Sequence, residues 1–370
     1  MDIFEELGIR PYINAHDTYT VYGGSRMSPE VLEAMRRISE HFVDFEELQR
    51  KTGEKIAALT RNEAAYVTNG ASGAILLATA VCLARGDVYR YMRLPETDSH
   101  NEVIVLNCQH NAYDKAIVTA GAKPVMIGDA DETAPEELAG AINENTAAVF
   151  YFPNIRYEFA SLPLETVIEI AHGKGVPVIV DAAALLPPVE NLWRFTGMGA
   201  DLAIFSGGKT LCGPQDSGLI LGRADLIRDC LRFGAPAHGV CRSSKTSREA
   251  VAGLYVAVKQ YVEQDHAANA KALRASADRM AVRLTSAGLD ARIVPYGPVG
   301  QAYPRVFVRL DPAVEAADVR RRMLGEGIYI GVNERENEAY VSPLNLTADE
   351  AEIVIEKLII HAGKAEEVER

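Results

Sequence analysis

The sequence predicts an α/β fold: one large, mostly parallel sheet covered on both faces, followed by a smaller α+β unit. Three observations carry that reading. Seven apolar runs of strand length precede residue 222, helical patterns separate most of them, and from about residue 290 short strands and two helices take over. At 370 residues the chain is too long for one ordinary domain, and its 48% hydrophobic content is enough for a sizeable core.

The first run, Ala64 to Val67, leads into Thr68-Asn-Gly-Ala-Ser-Gly73 and an apolar helix from Ala74 to Leu83. Small residues between a strand and a helix let a ligand approach the open backbone N–H groups, which suits phosphate. Taken alone, the same turn fits any tight strand-to-helix connection. The second run, 102–106, precedes Cys108-Gln-His110-Asn-Ala-Tyr-Asp114, and a histidine at a strand end serves either chemistry or structure. A helical pattern over 112–120 leads to the third run at 123–127, and patterns over 135–142 and 163–173 flank the fourth at 147–152. The fifth, 176–181, closes on Asp181 followed by three alanines. An aspartate in that place is often only a helix N-cap.

The sixth run, 201–205, delivers Lys209 onto the glycine-rich turn Ser206-Gly-Gly-Lys-Thr-Leu-Cys-Gly-Pro-Gln215, and the seventh, 217–221, leaves it. Gly208-Lys209-Thr210 is not the end of a phosphate-binding P-loop, because that motif needs glycine where Ala203 stands inside the strand. A lysine at the mouth of an open α/β sheet lies where such folds put their chemistry, and a desolvated amine there acts as a Schiff-base nucleophile. The competing reading is a solvated loop lysine. Asp181 lies one strand and one crossover helix upstream, so both side chains converge on one sheet edge. Beside an imine-forming lysine an acid has a specific use, holding the pyridine nitrogen of pyridoxal phosphate protonated so that the ring takes electrons from a substrate carbanion.

These segments, with Ile13-Asn-Ala15, Gly23-Gly-Ser-Arg-Met-Ser-Pro-Glu30, Leu94-Pro95 and Ser342-Pro-Leu-Asn-Leu-Thr347, span nearly the whole chain. They resemble the fold-type I pyridoxal-phosphate enzymes, in the branch of bacterial selenocysteine synthase and D-glucosaminate-6-phosphate ammonia-lyase. The resemblance implies the fold-type I transferase fold, with a seven-stranded large domain and a smaller C-terminal α+β domain. It implies that Lys209 carries the cofactor as a Schiff base and Asp181 pairs with the ring nitrogen. Gly70, Ala71, Ser72 and Gly73 would cradle the phosphate, Ser206 would add a donor, and His110 would stack on the ring. A homodimer or higher oligomer with sites between subunits is also implied, in which Arg242 and Lys245 reach the neighbour's cofactor phosphate or substrate.

From the same resemblance comes the reaction: α,β-elimination from a small hydroxylated amino acid or amino sugar acid, giving a 2-oxo acid and ammonia. The residues themselves support a carbanion at Cα. They leave open an aminotransferase, racemase or aldolase on the same cofactor, and a binding protein without catalysis. An arginine's planar fork suits a substrate carboxylate, with Arg305 the first candidate and Arg26 the second. Two departures put a sugar phosphate in doubt: His16-Asp17 stands where relatives carry small residues, and Leu185 where a polar one is expected. His16 and Asp17 read either as an acid–base pair assisting the leaving group or as a structural contact.

The expected domains are an N-terminal segment, 1–45, packing on the small domain and active site; a cofactor domain, 46–243; a bridging helix, 244–264; and a small C-terminal domain, 265–370. With 38 basic and 51 acidic residues the net charge is −13, so no cationic field attracts a nucleic acid, transfer RNA included, and the expected substrate is a small molecule. Five cysteines without a CxxC pair or zinc spacing predict neither disulfide nor metal. The absence of a signal-like start and of any membrane-length apolar run predicts a soluble, cytoplasmic chain.

Overall fold

The computed structural model describes residues 2–363, which fall into two compact units: Ser25–Gln264, and the described residues of Met1–Gly24 with Asp265–Arg370. Residues 364–370 of the expected C-terminal domain lie outside the described residues.

All seven expected strands form in the larger unit, with ends within two residues of the apolar runs. They are β1 (Ala64–Asn69), β2 (Glu102–Leu106), β3 (Lys123–Ile127), β4 (Thr146–Tyr151), β5 (Val178–Asp181), β6 (Leu202–Ser206) and β7 (Ser217–Gly222). Their order across the sheet is β1-β7-β6-β5-β4-β2-β3. β7 runs antiparallel to both its neighbours and the remaining pairs are parallel. Two reversals cancel, so β1, β2, β5 and β6 all point the same way. The residues that follow them therefore gather along one edge, where open α/β sheets hold ligands.

Helix Gly70–Ala84 is buried at every position from Ala74 to Ala84. A helix apolar on all sides can only lie inside, and this one packs among Val103, Val105, Phe150, Ile204 and Ile220. Ile75, Leu76 and Leu77 there each stabilise the fold by about 1.5–3 kcal/mol relative to exposure. The observed division falls at Gly24/Ser25 rather than near residue 45, because helices Pro29–Ser39 and Phe45–Leu59 pack on helix Arg248–Glu263. Ser28 caps the first of them, and its hydroxyl donates to Gln260 at 2.8 Å. The stretch expected to bridge the domains thus belongs to the larger unit, and Gly253 lets it close on Met35: a Cβ would sit 2.9 Å from the Met35 side chain.

The smaller unit holds a four-stranded antiparallel sheet made of β8 (Asp290–Val294), β9 (Arg305–Arg309), β10 (Gly331–Asn333) and β11 (Glu338–Val341), in the order β10-β11-β9-β8. Ile13–Asn14 pairs in parallel with Ile328–Tyr329. Helices Ala316–Gly325 and Ala348–Ala362 match the expected pair, the second started by a Thr347/Glu350 capping box. A third helix, His266–Ser286, was not expected from the sequence. It is rich in alanine and charge and buries only Ala277, Met280 and Leu284, too sparse a stripe to read as a helical period.

Candidate active site

Asp181 closes β5 in register with Ile204 of adjacent β6, and Lys209 follows the end of β6, near enough for its charge to act on the Asp181 carboxyl. Burial pushes the Asp181 carboxyl above its usual range; the Ala183 N–H, donated to Oδ1 at 2.9 Å, and the charge of Lys209 pull it back, and Asp114 adds to the rise. Lys209 rides a loop fixed by its own backbone. Gly207 N–H donates to Ser217 at 2.8 Å, Gly213 N–H to Gly207 at 2.8 Å, and Cys212 N–H to Lys209 at 2.9 Å. The glycines before it are obligatory, since a Cβ on Gly207 would lie 1.9 Å from Ser217 Oγ and one on Gly208 would lie 2.5 Å from Gln215 Oε1. Ser25 braces the loop from outside, donating both its N–H and its hydroxyl to the Gly208 carbonyl at 3.1 Å.

The expected phosphate turn begins helix Gly70–Ala84, with Gly70 at φ 65. Asn69, at the N-cap, gives no side-chain hydrogen bond, so no side chain there caps the first-turn N–H groups. Gly218 of β7 sits against this turn, where a Cβ would strike the Gly70 carbonyl at 2.3 Å. Ala71 and Gly73 are half-buried and Ser72 is exposed. Thr246 lines a small cavity with Thr68, Gly73 and Ser244, and its Oγ1 is buried without a hydrogen-bond partner. A buried hydroxyl left unpaired costs stability unless a ligand completes it. Thr246→Val is therefore expected to raise the melting temperature of the cofactor-free protein by about 2 °C and to weaken pyridoxal phosphate binding about tenfold, measured by thermal scans and spectral titration.

His110 follows β2 on the same edge, with its side chain exposed. Its Nδ1 is hydrogen-bonded to Asp114 Oδ2, and Asp114, only 5% exposed, is a site residue that the sequence reading passed over. Ser206 ends β6 half-buried, while Arg26, Arg242 and Lys245 are exposed. An amine near a half-buried acid, glycines that leave no room for Cβ, and the orphaned Thr246 hydroxyl in the cavity beside Gly73 together fit pyridoxal phosphate. Among the described residues no cluster of three or more His, Cys, Asp or Glu side chains could hold a metal, and no helix is long and apolar enough to cross a membrane.

The smaller unit carries the remaining candidates. Arg305, the first candidate for the substrate carboxylate, is buried in β9 at 6% exposure. Its Nε donates to the Tyr296 carbonyl at 3.0 Å, and its guanidinium lies 5.1 Å from the ring centres of both Phe307 and Tyr340. His16 and Asp17 are not hydrogen-bonded to each other as an acid–base pair. The His16 ring is held by the hydroxyls of Tyr22 at 2.9 Å and Tyr340 at 2.8 Å, whereas Asp17 accepts from the Tyr303 hydroxyl at 3.0 Å and from Thr18 N–H at 2.7 Å. Burial pushes His16 down to about 4, helped by Arg305 and Arg320 and opposed by Asp17, so its imidazole is neutral at physiological pH.

Comparison with known proteins converges on one family. The SelA model, described as L-seryl-tRNA selenium transferase, matches residues 23–287. A Streptomyces protein named 5'-C-glycyluridine monooxygenase-decarboxylase is 31% identical, over 96% of this chain and 90% of its own. The D-glucosaminate-6-phosphate ammonia lyase of Salmonella typhimurium is 31% identical over 89% and 88%. A solved D-glucosaminate-6-phosphate ammonia-lyase superposes with a TM-score of 0.85 at 29% identity, covering 98% of this chain and 99% of that one. A serine palmitoyltransferase variant from S. paucimobilis with a bound pyridoxal phosphate–myriocin aldimine, 14% identical at a TM-score of 0.61 over 95% and 87%, shares the fold.

Proposed function

Because the chain belongs to the SelA family, named for L-seryl-tRNA selenium transferase, we propose that it is a lyase removing water and then ammonia from a small hydroxylated amino acid or amino sugar acid. Pyridoxal 5'-phosphate is its cofactor. The observation that carries the reading is that Asp181 and Lys209 follow the ends of neighbouring strands β5 and β6, with the charge of Lys209 acting on the Asp181 carboxyl. The lyase assignment draws on the Salmonella relative, whose name describes an ammonia lyase on an amino sugar acid phosphate. His16-Asp17 in place of small residues argues for a substrate other than that phosphate.

When bound, the cofactor supplies an electron sink that stabilises a carbanion at Cα. The chain's own residues do the rest. Asp181 would keep a proton on the ring nitrogen, and Ala71, Ser72, Gly73, Ser206 and Thr246 would hold the phosphate. His110 would pack on the ring. Lys209 Nζ takes the proton from Cα and returns it to the departing β-hydroxyl, which leaves as water. Water then hydrolyses the released enamine, so the net change is hydroxy amino acid to 2-oxo acid and ammonia. Arg305 grips the substrate carboxylate with its fork, with Arg26 the second choice, and neutral His16 lends a hydrogen bond to the substrate. The protein works as a homodimer, to whose neighbouring site Arg242 and Lys245 contribute charge, and its net charge of −13 favours a small-molecule substrate over a nucleic acid.

The test is product analysis of the cofactor-loaded enzyme against a panel of hydroxy amino acids and amino sugar acids. Equal amounts of ammonia and 2-oxo acid are expected without added acceptor and without dioxygen. A requirement for a keto-acid acceptor would make it an aminotransferase. Consumption of dioxygen with release of carbon dioxide would align it with the Streptomyces relative instead.

A further inference from the structure

Asp114 is buried more completely than a turn residue needs to be. It opens helix Asp114–Thr119 at 5% exposure, and its Oδ2 accepts from the Asn111 N–H at 3.3 Å and from His110 Nδ1. Its Oδ1 is buried without any hydrogen-bond partner, and its charge is felt at Asp181 on the same sheet edge. The turn itself asks only for an acceptor to the Asn111 N–H. The one partner that gains from a carboxylate is the imidazole, whose proton position and ring angle are set by what its Nδ1 binds.

We propose that Asp114 is a positioning residue for His110: it fixes the proton on Nδ1, leaves Nε2 as the acceptor nitrogen, and holds the ring at the edge shared by Asp181 and Lys209. The effect on the cofactor rests on the site proposed above. The effect on the imidazole does not, so the two fail separately.

The experiment uses nitrogen-15 spectra of the His110 ring in the cofactor-free protein, with the signal assigned from His110→Ala, and titration with pyridoxal 5'-phosphate. In the unaltered protein the Nδ1–H tautomer is expected to dominate. In Asp114→Ala the Nε2–H form should take over and the cofactor should bind about tenfold more weakly. Asp114→Asn, whose amide oxygen still accepts from Nδ1–H, should keep the tautomer and most of the affinity; it carries the test if the alanine variant does not fold, and reversal of its tautomer would then refute the idea. The double variant Asp114→Ala/His110→Ala should bind no more weakly than His110→Ala alone. An unchanged tautomer in Asp114→Ala, or losses that add in the double variant, would overturn the proposal. If the unaltered protein takes up no cofactor, the site reading fails while the tautomer result still decides the role of Asp114.

Discussion

Lys209→Ala is expected to lower kcat/KM by about 10⁴-fold, because in the proposed mechanism one side chain serves as both cofactor anchor and proton carrier. The visible colour of the cofactor-loaded protein should vanish with it. The fold should persist: the loop around Lys209 is held by backbone bonds among Gly207, Lys209, Cys212, Gly213 and Ser217, and alanine leaves all of them in place. Absorbance spectra, steady-state rates and circular dichroism on the same preparation separate lost chemistry from lost structure. A variant that stays coloured, or that retains activity within tenfold of the original, would remove Lys209 from the reaction.

Asp181→Asn has two expected effects of opposite sign. Activity should fall by about 10³-fold, since a neutral amide cannot balance a protonated ring nitrogen. The cofactor-free protein should become more stable. Burial raises the folded-state pKa of Asp181, so its contribution to stability is fully present below the usual carboxylate value of 3.8 and is lost as pH rises through the folded value. Above the folded value the wild-type protein bears the cost of a partly desolvated carboxylate, and asparagine, which can still accept from the Ala183 N–H, does not. A melting temperature about 2–4 °C above wild type is expected near pH 7, shrinking as the pH falls. A variant less stable at pH 7 but still active would show that Asp181 is a structural cap.

Much of this architecture is legible in the sequence because buried parallel strands are continuous apolar runs, and seven such runs became seven strands. Asp181 and Lys209 were legible for a related reason: polar residues that close apolar strands must surface at the sheet edge. Direction was not legible. A strand buried on both faces carries no mark of which way it runs, so the antiparallel insertion of β7 between β1 and β6 emerges only from the pairing. Asp114 and Thr246 escaped for another reason: an acid in a helix's first turn and a threonine beside a serine are commonplace, and it is their unpartnered buried oxygens that single them out. At His16 the sequence left an acid–base pair with Asp17 and a structural contact both open, and it showed neither Tyr22, six residues on, nor Tyr340, from the far end of the chain, as the groups that hold the ring.

The place of β7 bears on how the molecule is made. β1 has no neighbour but β7, and the two lie roughly 150 residues apart in the chain. During synthesis the first strand must wait until the seventh has left the ribosome, and until then the turn at Gly70 lacks the backbone wall that Gly218 provides. A nascent chain stopped short of residue 222 has a half-built cradle. If the Gly70 turn holds the cofactor as proposed, its capture follows the pairing of β1 with β7.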